Sequence, residues 1–76
     1  MKLSEFRLAV DDEFGEAYGA VVLRDVVLEV LGGRTATEAL SAGVAPREVW
    51  LALCVAMDVP TARRHGPTRR ERGPRA

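Results

Sequence analysis

Leu3, Phe6, Val10 and Phe14 recur at three- and four-residue steps, an apolar stripe along one face of a helix. That spacing predicts a first helix over 4–14, with Ser4 as its cap and Glu5 near its positive end. Gly15 interrupts the pattern and turns the chain. Beyond it the apolar positions thicken: Leu23, Val26, Val27 and Val30 form one stripe, and Tyr18, Val21 and Leu28 a second. A helix over 16–31, covered on more than one side, is the reading this density supports. Asp25 falls between the stripes, so it belongs at an edge or within hydrogen bonds, because a buried lone carboxylate is costly.

Gly32 and Gly33 stand where a helix would close. Thr35 and Glu38 then have the spacing of a capping box, which opens a short helix over 36–42. Ala39 and Leu40 point inward from it, Gly43 ends it and Val44 pins the turn. Pro46 suits the first position of a fourth helix, over 46–57, whose inner face carries Val49, Trp50, Leu53 and Met57. Pro60 stops that pattern. The expected fold is all-α, a small four-helix bundle with antiparallel neighbours. Its core is drawn from Phe6, Val10, Phe14, Tyr18, Val27, Leu28, Leu31, Leu40, Val44, Val49, Trp50 and Leu53.

Composition adds a boundary and a charge split. With 76 residues, there is room for one domain, and a chain this short buries only about 60% of its extended surface. Residues 1–58 carry five basic and ten acidic side chains, whereas residues 59–76 carry six arginines and one glutamate. The last stretch, VPTARRHGPTRRERGPRA, has three prolines and two glycines and no large aliphatic residue after Val59. It cannot build a core, so the expected organisation is a helical domain over 1–59 and a disordered arginine-rich tail over 60–76. No secretory signal or membrane span is read, and one cysteine cannot form an internal disulfide, which together point to the cytoplasm.

Candidate chemistry is sparse. His65 falls in the tail, where it cannot be positioned, and Cys54 lies beside the apolar face as a small hydrophobe. One Cys with one His falls short of a zinc site. Asp11, Asp12, Glu13 and Glu16 cluster near the first turn without the spacing of a calcium loop, and Gly32-Gly33-Arg34-Thr35 lacks the spacing and lysine of a phosphate loop. No catalytic, cofactor or metal residues are assigned, no small-molecule substrate is identified, and the chain is read as a non-enzyme.

Two surfaces are left for binding. Ala39, Gly43, Val44 and Val49 sit at offsets that match a helix-turn-helix pair. The outward positions of its second helix are Arg47, Glu48, Leu51 and Val55, poor in the donors and acceptors that read bases. Leu51 and Val55, one turn apart, form an apolar seam that either packs on the first or second helix or takes a protein partner or a second copy. Arg63, Arg64, Arg69, Arg70, Arg72 and Arg75, with Arg47, are the candidate contacts to nucleic-acid phosphates.

The strings Leu3-Ser4-Glu5-Phe6, Phe14-Gly15, Tyr18, Asp25 and Leu28 are followed by Leu31-Gly32-Gly33-Arg34-Thr35, Glu38-Ala39-Leu40 and Ala42-Gly43. Pro46, Val49-Trp50, Cys54 and Pro60 complete a pattern that resembles a family of small actinobacterial proteins of unknown function. The resemblance covers roughly residues 1–60, and it implies gene neighbours in recombination repair, not an activity. Leu51 and Val55 depart from it, since relatives usually carry polar or charged residues there. The expected function is a non-enzymatic protein-interaction or regulatory module. The alternative is an accessory nucleic-acid binder that uses the tail.

Overall fold

A computed structural model of the chain describes residues 1–64. Four helices dominate them: α1 (Leu3–Phe14), α2 (Glu16–Asp25), α3 (Ala36–Ser41) and α4 (Pro46–Ala56). Between α2 and α3 lies a small antiparallel hairpin of β1 (Val27–Leu28) and β2 (Arg34–Thr35), with Val27 opposite Thr35 and Leu28 opposite Arg34. Short 3-10 turns occupy Glu29–Leu31 and Thr61–Arg63.

α1 starts one residue earlier than its stripe suggested. The Lys2 N–H donates to Glu5 Oε1 at 2.8 Å, so the start is served by the Glu5 carboxylate and not by Ser4. Gly15 joins the first two helices: its N–H bonds the Asp11 carbonyl and its carbonyl accepts the Gly19 N–H, both at 2.8 Å. At Gly19 the α2 backbone lies against Val10, and a Cβ there would stand 2.9 Å from Val10 Cγ1. The first helical pair is therefore seated by a missing side chain.

The helix expected over 16–31 is the main correction. α2 ends at Asp25, and Val26 is already extended at φ −80°, ψ 125°. β-branched valines suit a strand at least as well as a helix, so the run of apolar residues left the period ambiguous. The hairpin needs Gly32 and Gly33, both at positive φ (+79° and +80°), a backbone that side-chained residues rarely adopt. Gly33 N–H then bonds the Leu28 carbonyl at 3.1 Å. At the α2 end, the Thr37 hydroxyl donates to the Leu23 carbonyl at 3.1 Å and covers an acceptor the broken helix exposes. Period-two alternation turns Leu28 fully inward and leaves Val27 53% exposed, so Val27 is not a core residue.

The C-terminal pair follows its local signals closely. Glu38 N–H donates to Thr35 Oγ1 at 3.2 Å and Thr35 N–H to Glu38 Oε1 at 3.0 Å, a complete capping box. α3 closes with Val44 N–H on the Ala39 carbonyl and Gly43 N–H on the Leu40 carbonyl, the bond pattern of a Schellman motif. α4 closes the same way, with Val59 N–H on Cys54 and Asp58 N–H on Val55.

The core holds Phe6, Val10, Val22, Leu28, Val49, Trp50 and Leu53, filled in by Ala9, Ala36, Ala39, Ala52, Cys54 and Val59. Phe14, Leu31, Leu40 and Val44 are half-buried against it. Tyr18, expected inside, is 53% exposed and instead packs edge-on against Phe14 with ring centroids 6.0 Å apart. Asp25 sits at an edge beside Arg24.

Replacing Gly19 by alanine forces Val10 to move within a packed core, which costs on the order of 1–3 kcal/mol in chemical denaturation. The double change Gly19→Ala with Val10→Ala should cost less than the two single changes added together.

Candidate interaction surface

α4 has two working faces. Val49, Trp50, Leu53 and Cys54 are buried, while Leu51 (36%) and Val55 (57%) stay exposed one turn apart on the other side. Neither α1 nor α2 covers that seam. Instead the hairpin packs alongside α4 and brings up Val27 and Val30, the latter 67% exposed. An open cleft of about 290 Å³ runs between them, lined by Val27, Glu29, Val30, Ala52, Val55 and Ala56. A second hollow continues it past Leu31 to Glu48 and Leu51, sharing Val30, Ala52 and Val55. The sequence placed Leu51 and Val55 on this surface but missed Val27 and Val30. A double glycine after a β-branched run is a hairpin signal, and it would have found them.

Of the candidate phosphate contacts, Arg47, Arg63 and Arg64 lie among the described residues. Arg47 is exposed at the start of α4. Arg63 is engaged by α1, where its Nε donates to both Glu13 oxygens at 3.1 Å and its Nη2 to Oε2 at 2.9 Å. This bidentate pairing raises the Arg63 pKa further. Arg64 Nε donates to the Val59 carbonyl at 2.8 Å, and the Arg64 carbonyl accepts the Trp50 indole N–H at 3.0 Å. Residues 60–64 are thus a clasp on the helical body, and the expected tail begins with an ordered turn. Arg69, Arg70, Arg72 and Arg75 lie outside the described residues, as do His65 and the rest of the tail expectation.

Among the described residues, no group of three or more His, Cys, Asp or Glu is placed to hold a metal ion. The acidic corner gives Glu13 to Arg63. No helix of the described residues is long and apolar enough to cross a membrane.

A family model described as "Protein of unknown function (DUF3046)" matches residues 1–62. The chain belongs to that family. No curated protein and no solved structure matches it. The family region takes in α1 through α4, the hairpin and most of the clasp turn, and it stops just short of Arg63 and Arg64.

Cys54 sits in the core beneath the clasp. Burial pushes its thiol up to about 11, with Arg64 opposing the rise and Glu13 adding to it. The thiol therefore stays protonated in the folded chain through the range where a solvated cysteine ionises. Alkylation by iodoacetamide at pH 8 should run about 100-fold slower in the native chain than in denaturant, from thiolate fraction alone. Mass-spectrometric labelling kinetics measure this directly.

Proposed function

We propose that this chain is a non-enzymatic interaction module, working in the cytoplasm, that takes a protein partner in the groove between the hairpin and α4. The observation that carries the reading is the gathering of four exposed aliphatic side chains, Val27, Val30, Leu51 and Val55, at one open cleft. Scattered exposed aliphatics need no explanation; contiguous ones rimmed by charge mark contact surfaces. The rigid backing supports the same reading, because α4 is anchored from behind by Val49, Trp50 and Leu53.

Leu51→Glu with Val55→Glu should abolish partner capture by the tagged full chain, or any self-association seen by light scattering. Leu51 is 36% and Val55 57% exposed, so the unfolding free energy should move by about 1 kcal/mol or less per site. Capture or assembly that ignores both changes removes this reading.

The charge split favours a second reading, in which the arginine-rich end neutralises phosphates of nucleic acid while the α3–α4 pair, whose residue offsets match those of a helix-turn-helix, gives orientation. Since Arg63 and Arg64 are held by the body, four tail arginines remain. Log affinity for duplex DNA should then fall with log salt at a slope of roughly −3 to −4. Removing residues 65–76 should abolish the binding. Affinity that survives the deletion, or no binding at low salt, sinks the reading.

A further inference from the structure

The groove has a charge sign as well as an apolar floor, and the sign narrows what can occupy it. Among the described residues, the charged groups lining its two connected hollows are Glu29 and Glu48, both acidic and both exposed. Neither carboxylate makes a hydrogen bond or ion pair among the described residues, so both are open to an incoming cation. Residues 1–64 carry seven basic against ten acidic side chains, so the described body as a whole is net acidic. We infer that the groove's partner is a short amphipathic helix on another protein, with two aliphatic anchors one turn apart and Lys or Arg beside them.

Each part of that description answers an observed feature. Leu51 and Val55 stand one helical turn apart, which matches the separation of anchors at i and i+4 on a docked helix. Glu29 comes from the hairpin side and Glu48 from the start of α4, so the acidic groups stand on both walls of the groove. Basic side chains flanking the anchors would meet them at the rim, where charge mainly sets partner choice and association rate.

Two other occupants fit less well. A second copy docked groove to groove about a two-fold axis would set the Glu29 and Glu48 pair of one copy facing the same acidic pair of the other. Like charges so placed disfavour the pairing. The chain's own C-terminal stretch has the right charge, but residues 65–76 contain no large apolar side chain to fill the floor.

This inference rests on the interaction reading above, and its test separates the two. A displayed library of short helical segments is selected on the full chain, with counter-selection on the Val30→Glu chain to keep only groove-dependent binders. The selected segments should carry paired aliphatic anchors and be enriched in Lys and Arg at the flanks. In anisotropy titrations, exchanging those flanks for Glu should weaken binding at least about tenfold at low salt, the equivalent of about 1.4 kcal/mol. Glu29→Lys with Glu48→Lys should invert the preference. Binders with neutral or acidic flanks, no groove-dependent binders, or a wild-type dimer that dissociates on Val30→Glu would each overturn the inference. None of these touches the broader reading, which falls only if capture by the full chain ignores Leu51→Glu and Val55→Glu.

Discussion

An indole in a core this small brings a polar N–H with it, and that group must find a partner out of reach of water. Trp50 finds it in the Arg64 carbonyl, fourteen residues along the chain. Leaving such a donor unpaired costs about 1–3 kcal/mol, a large share of the stability of so short a domain. The chain must therefore turn back after α4. Val59 goes into the core, the 3-10 turn at Thr61–Arg63 carries the backbone across, and Arg63 fastens the end of the path to Glu13 at the far end of α1. The C-terminal end of the described chain is thereby tied to α4 through Trp50 and to the last turn of α1 through Glu13.

Local signals were legible where a few neighbouring residues decide the structure. The Thr35–Glu38 box, Gly43 and Pro46 each act within one turn, and α3 and α4 lie within a residue of where those signals place them. The stretch from Val26 to Thr35 was not legible from period alone. Its valines satisfy a 3.6-residue and a two-residue spacing almost equally, and Gly32-Gly33 can close a helix or turn a hairpin. The contacts that go with the break are tertiary: Leu28 is fully buried from the extended segment, and Thr37 covers the carbonyl that the break exposes. Val27 was drawn inward by that misjudged period, and Tyr18 by the expectation that α2 is covered on a second side. Val59 and Arg64 were missed because their partners are set by the fold, not by spacing.

The groove shows the same division. The outward direction of Leu51 and Val55 follows from the helix that contains them, so half of the surface could be read from α4 alone. Val27 and Val30 reach it only because the hairpin lies against α4. Likewise, six arginines of one tail look interchangeable in the sequence, yet Arg63 binds a carboxylate and Arg64 a backbone carbonyl. Charge counts describe a field; hydrogen bonds assign the individual residue.

Since α4 is shared between the clasp and the groove, the two are physically linked. Trp50 and Cys54 hold its inner face, and Leu51 and Val55 ride on the outer face of the same rigid turns. A floor fixed from behind loses little conformational freedom when a ligand settles on it, so more of the contact energy remains as affinity. The hairpin wall is different. It is two residues deep on each strand and held at a glycine pair, so it can yield more readily than α4. An occupant of the groove would thus meet one stiff wall and one compliant wall, the first held from behind by the buried Val49, Trp50 and Leu53 and by the bond from the Trp50 indole to the Arg64 carbonyl.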